Sequence, residues 1–328
     1  MLKNCNITIL TDPMPWGQEF LHEGARRIAR WVRDALRPNR QYFSHPLYRG
    51  HFAVTRSLVE GLHKINATFN YNPRYPWQLA DTVIVLAGVR TLRQSIRLKQ
   101  QGRIKKLFAG PNIVNFSSDY DSLLAVTEVD AAITPCNLVV DLYLEDNPSL
   151  KNRIFSWPAG VDTHYWRPDP AVKRESILIF DKQNKGPVGP VAPYADYLRS
   201  LGWDVNVIEY GNFTHIEYLK MLQQSCLMLG FVTDESQGIA WAEAWSTDVP
   251  TLIWKNISNV YQGRRYACST APYLHSQNGL FFDDLENFKI QFNYWETHQE
   301  QFSPRAWTLE NMSDEVCASM LYKKVTEC

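Results

Sequence analysis

Apolar positions along the chain alternate between two rhythms. Short, almost unbroken apolar runs read as buried strands, and apolar residues recurring every three or four positions read as amphipathic helices. In the first half, strands are expected at 6–10, 81–87, 106–108 and 130–134. Helices are expected at 19–36, 52–65, 91–101 and 138–144. On the first of these helices, Leu21, Ala25, Ile28, Val32 and Leu36 share one face, and Pro38 stops it. The second half repeats the rhythm. Strands are expected at 176–180, 203–208, 226–231 and 250–254, and helices at 193–200, 214–224, about 238–245 and near 313–325.

Strands alternating with helices from end to end predict an α/β chain with parallel sheets. The Pro-rich stretch 158–170 separates the two rounds, and no internal sequence repeat accompanies them. Two Rossmann-like domains facing a central cleft are the economical architecture. The expected bounds are 1–160 for the first domain and 161–303 for the second, with 304–328 as a C-terminal segment.

Composition narrows the picture. A chain of 328 residues with 45% hydrophobic and 13% aromatic residues can fill two cores, which excludes wholesale disorder. Net charge is zero, but it is segregated. Through residue 106 there are 18 Lys and Arg against 6 Asp and Glu, and beyond it 16 against 28. On the helix 19–36, Arg26, Arg30, Arg33 and Arg37 form one stripe, and Arg90, Arg93, Arg97, Lys99, Arg103, Lys105 and Lys106 form a second basic run. A basic amphipathic helix suits an anionic membrane surface or a lipid-phosphate acceptor. No motif interleaves these bases with stacking aromatics, so nucleic acid is not an expected partner. The six cysteines show no ligand-like spacing and read as buried thiols of a reducing compartment. No apolar run is long enough to span a bilayer or to act as a signal peptide. The expectation is a cytoplasmic protein, with peripheral contact at the inner face of a membrane.

One segment carries chemistry. Residues 230–245 read GFVTDESQGIAWAEAW, a buried strand running into a helix. The amides of Gln237, Gly238 and Ile239 would then project from a helix N-terminus, a site suited to a diphosphate, and Gly238 would permit close approach. Glu235 in the loop and Glu243 two turns along the helix offer carboxylates to hydroxyl groups on either side of it.

Glu235 and Glu243 with their spacing resemble the E-x7-E signature of retaining glycosyltransferases with two Rossmann-like domains (the GT-B type), family 4 in particular. The segment from Ala159 to Pro168 is similar to that family's N-G-V-D…F-x-P segment, and 130–136 to its D-x-V-I-x-x-S strand. Matched by position, Glu235 would face the donor sugar and Glu243 the nucleotide ribose. Lys182 then stands as the first candidate for the phosphate contact and Lys185 as the second, with Ser236 in the donor loop. Gly211, in a turn after a strand, would line the nucleobase, and Gly17 in the first loop would offer its amide to the donor.

The first domain departs from the family's pattern. Its opening loop has a single glycine, and the strand ends at Gly88 and Asn112 lack the His that often faces the reacting sugar. The resemblance implies an acceptor-side domain at 1–160, a nucleotide-sugar donor domain at 161–303 and a segment 304–328 that packs back on the first domain. It implies transfer of a sugar from a nucleotide-diphosphate sugar to an acceptor hydroxyl, with retention and without a metal or other cofactor. The acceptor stays open among a glycan, a lipid-linked glycan and a small molecule. A nucleotide-sugar epimerase or hydrolase on the same fold, and a non-catalytic sugar-nucleotide-binding subunit, remain as alternatives.

Overall fold

The computed structural model describes residues 6–12, 50–183 and 189–327. The helix expected at 19–36 with its arginine stripe, Gly17 and Lys185 lie outside the described residues. The chain divides into two units, one of residues 1–157 with 318–328 and the other of 158–317.

In the first unit, β1 (Ile7–Thr11), β2 (Phe69–Tyr71), β3 (Thr82–Ala87), β4 (Lys106–Asn112), β5 (Ala131–Thr134) and β6 (Ile154–Ser156) form one sheet in the order β2-β1-β3-β4-β5-β6. Every neighbouring pair is parallel, with Ile9 opposite Ile84 and Ile84 opposite Phe108. Helices α1 (Gly50–Lys64), α2 (Val89–Gln100) and α3 (Asn137–Asp146) punctuate it. The central strands β1, β3 and β4 are largely apolar and buried, as expected where both faces of a parallel sheet are covered. Leu10, Val83, Val85, Leu107 and Ala109 join one core cluster with Leu92 and Ile96 of α2, whose Arg90, Arg93 and Arg97 stay exposed.

In the second unit, β7 (Ser176–Lys182), β8 (Asp204–Glu209), β9 (Ser225–Val232), β10 (Thr251–Trp254) and β13 (Gly279–Phe282) form an all-parallel sheet in the order β13-β10-β9-β7-β8. The period of two sorts its side chains into two layers. Ile177, Ile179, Leu227, Leu229 and Phe231 enter one core cluster with Tyr194 and Phe288, while Leu178, Phe180, Met228 and Val232 enter the other with Tyr218 and Trp241. The flanking helices are α4 (Ala192–Ser200), α5 (His215–Gln224), α6 (Ile239–Ser246), α7 (Leu285–Thr297) and α8 (Pro304–Asn311). Between β10 and β13 the chain makes an antiparallel hairpin, β11 (Ser258–Tyr261) with β12 (Arg264–Ala267). The last helix, α9 (Asp314–Thr326), belongs to the first unit from Ala318 onward, where the Tyr322 hydroxyl accepts the Asn6 side-chain amide at 2.7 Å.

Candidate functional site

The second unit's sheet grows outward from β7, with β8 on one side and β9 on the other. At such a reversal of strand order the loops leaving adjacent strands diverge and leave room for a ligand at their carboxyl ends. Lys182 is the last residue of β7, and Glu235 follows three residues after the last residue of β9. Their side chains meet: the Lys182 ammonium donates to Glu235 Oε1, and both side chains are largely shielded from solvent. Nζ also sits 4.7 Å above the centre of the Tyr210 ring, in the loop after β8. Burial alone would lower the Lys182 pKa; the Glu235 charge and hydrogen bond outweigh it and hold the ammonium above its ordinary range.

The loop between β9 and α6 is held from outside by the segments flanking the hairpin. The Glu235 amide donates to the Ser269 carbonyl at 2.7 Å, and the Asn256 side-chain amide donates to the Thr233 carbonyl at 2.8 Å. The Tyr266 hydroxyl, on β12, donates to Asp234 Oδ2, and burial followed by that carboxylate pushes the phenol well up.

Gly238 caps α6 at φ 70° and ψ 44°, a left-handed conformation that suits glycine. A Cβ there would lie 2.6 Å from Trp241 Cδ1, and one at Gly230 would lie 2.6 Å from Trp241 Cη2. Both glycines therefore make room for an indole whose N–H donates to the Thr270 carbonyl at 2.8 Å. The first intrahelical donors to Gly238 are Trp241 and Ala242, so the amides of Ile239 and Ala240 come before the ladder begins. Gln237 is buried, its Nε2 donating to the Ala159 carbonyl at 3.3 Å while Oε1 finds no partner.

The structure thus brings Lys182 and Glu235 together and sets Gln237, Gly238 and Ile239 where α6 begins, with Ser236 exposed in the loop before them. Glu243 is placed differently from Glu235: it is only 5% exposed on α6. Burial and then its charge push the Tyr165 and Tyr218 phenols up. Gly211 stands exposed at φ 97° with open space around it, beside Tyr210. Sequence reasoning missed Tyr210, Asn256 and Tyr266. A Gln262-Gly263 turn between β-prone residues was the available signal for the hairpin that carries Tyr266.

In the first unit the chain carries an Asp-x-Asp triplet at 119–121. Asp119 accepts the amides of Asn115 and Phe116, both at 2.9 Å, and so closes its own loop. Among the described residues no group of three or more His, Cys, Asp or Glu side chains is arranged to hold a metal ion. Burial pushes the Cys226 and Cys268 thiols up to about 11, so they stand protonated at neutral pH. No described helix is long and apolar enough to cross a membrane.

No family model matches the chain, and no curated protein matches it. Solved structures do. A glycosyltransferase from Rickettsia africae ESF-5 superposes with a TM-score of 0.55 at 11% identity, over 98% of this chain and 99% of that one. Sucrose-phosphate synthase from Thermosynechococcus elongatus gives 0.51 at 11% identity, with the same 98% and 99% coverage. A lipopolysaccharide outer core galactosyltransferase in its apo form gives 0.51 at 12% identity, again over 98% and 99%. The fold is that of two-domain GT-B glycosyltransferases, with parallel sheets in both units.

Proposed function

We propose that the protein is a glycosyltransferase that moves a sugar from a nucleotide-diphosphate sugar to an acceptor hydroxyl, with retention and without a metal. The observation that carries this reading is the meeting of Lys182 and Glu235 beside the start of α6, at the point where the second sheet's strand order reverses. The complete-length likeness to solved glycosyltransferases supports it.

In this reading the donor diphosphate takes the Lys182 ammonium and the first-turn amides of α6, which stabilise the negative charge that develops on the leaving group. Glu235, released from Lys182, accepts a hydrogen bond from a donor-sugar hydroxyl. Lys185 reinforces the phosphate contact, Glu243 takes the ribose, and the Gly211 loop and Gly17 contribute backbone groups. The donor's own phosphate oxygen assists the incoming hydroxyl on the same face of the sugar, so the protein's work is positioning. The basic residues of the first unit face a glycan or lipid-linked acceptor in a peripheral role at an anionic membrane.

Titration with a panel of nucleotide-diphosphate sugars tests the donor. At least one should bind, and Lys182→Ala and Glu235→Ala should each weaken binding or transfer at least tenfold, the order expected when one charge-assisted contact is lost. Proton NMR of the product should show the donor's anomeric configuration kept. If no donor on the panel binds, or both variants retain wild-type behaviour, the assignment fails. Donor cleavage without transfer to any acceptor would favour the hydrolase alternative.

A further inference from the structure

The first unit holds a cavity of about 300 Å³ that the proposed transfer reaction does not use. It opens where strands begin: Lys106 starts β4, Ala131 starts β5 and Ile154 starts β6. Ligands of open parallel sheets gather at the other edge, beyond the strands' carboxyl ends, so this cavity is a separate feature of the fold. Its floor is aromatic and apolar. Phe108 and Phe155 meet edge to face with centres 6.5 Å apart, and Ala131 and Ile154 complete the wall.

Two cations stand over this floor. The Lys324 ammonium, from α9, lies 5.6 Å from the centre of the Phe155 ring, and Lys106 lines the same space. Nearby lysines are spent on carboxylates: Lys105 pairs with Asp81 at 2.6 Å, and Lys99 pairs with Asp130. Asp130 also accepts the Leu107 amide at 2.6 Å, so the one carboxylate lining the cavity is already engaged. Among the described residues neither Lys106 nor Lys324 has a carboxylate partner.

A compact dianion answers two lysines that lack counter-charges, and an apolar or aromatic group answers the floor beneath them. A volume of this size is at the small end of ligand pockets and suits a ring or a short branched chain rather than a large cofactor. We propose that this cavity binds an organic phosphate monoester. Its apolar group seats against Phe108 and Phe155, and its phosphate oxygens take the Lys106 and Lys324 ammonium groups. Such a ligand can arrive as a soluble aryl phosphate or as the headgroup of a phosphate-bearing lipid. The site stands whether or not the second unit transfers a sugar.

Calorimetric titration of the full chain with phenyl phosphate, with short-chain phosphatidic acid below its micelle concentration, and with inorganic phosphate tests the proposal. At least one organic phosphate should bind about tenfold or more tightly than inorganic phosphate, because it alone buries an apolar group. Preference for phenyl phosphate assigns a soluble ligand, and preference for phosphatidic acid a lipid; either supports the site. The Lys106→Ala/Lys324→Ala double variant should lose at least tenfold in affinity. Ala131→Leu, which fills the cavity and keeps both lysines, should lose as much; should that variant fail to fold, the lysine variant decides alone. Lys173→Ala, exposed in the second unit and not part of the cavity lining, should leave binding unchanged. Equal affinity for inorganic phosphate, insensitivity to the lysine variant, or an equal loss in Lys173→Ala would overturn the proposal.

Discussion

At the scale of single residues, the pair Lys182 and Glu235 holds the most information. A buried ion pair contributes little net stability, because desolvation offsets most of its attraction, but removing one partner strands the other. Lys182→Met should therefore cost about 1–3 kcal/mol, the cost of leaving a largely shielded carboxylate without its charged donor. Adding Glu235→Gln to it should restore most of that, since neither charge then remains. The pH dependence has a definite sign. The Lys182 pKa is raised in the folded protein, so the pair's contribution is fully present below the ordinary lysine value of 10.5 and is lost as pH rises through the folded value. Urea unfolding should show a constant gap between wild type and Lys182→Met from pH 6 to 9, closing only at strongly alkaline pH. A gap that closes near neutrality would mean that another group governs it.

At the scale of elements, α6 shows how a motif can serve two purposes. The sequence reading placed Gly238 there for a ligand's close approach, whereas the structure shows an independent demand from its left-handed φ and from Trp241 packed against it. Gly211 shares a positive φ, but a Cβ there would meet nothing within 4 Å. Alanine at Gly211 should cost about 1 kcal/mol from the backbone alone, and alanine at Gly238 about 2–4 kcal/mol, because the indole must also move. Thermal unfolding of the two variants side by side checks this, and equal losses would refute the packing argument.

The same contrast explains what was legible beforehand. The expected strands at 81–87, 176–180 and 226–231 are plain because an apolar run dominates each, and they form β3, β7 and β9. Three-residue strands such as β2 and β6 are too short for any period to declare itself. Helix α7 was missed although its signal was present: Phe288, Phe292 and Trp295 line one buried face, and Asp284 caps it by accepting the Asn287 amide at 2.7 Å. At the site, proximity in sequence revealed the 235–243 segment. The contacts of Tyr210 with Lys182 and of Tyr266 with Asp234 join residues from separate strands and loops, which spacing along one segment does not express.

At the scale of the whole molecule, zero net charge conceals a division that should be measurable. The chain carries 18 basic against 6 acidic residues through residue 106 and the reverse imbalance beyond it. Arg93, Arg97 and Arg103 are exposed in the first unit, so part of this excess lies on the surface. With a sequence pI near 7.1, a protein of evenly mixed charge would pass a sulfonate column at pH 7. A segregated one is retained, because at about 0.01 M salt the screening length is roughly 30 Å and a local patch is felt apart from the total. The protein should bind such a column at low ionic strength and elute by about 0.15 M salt, where screening is down to roughly 8 Å. Replacing Arg93, Arg97 and Arg103 with Gln should bring elution forward, and should weaken sedimentation with anionic vesicles in parallel if the same face meets a membrane. Retention should survive in Lys106→Ala/Lys324→Ala, whose loss belongs to one cavity rather than to the field of a surface. Flow-through of the wild-type protein at low salt would show that the acidic residues neutralise the basic ones in space, and would remove the electrostatic support for a membrane-facing role.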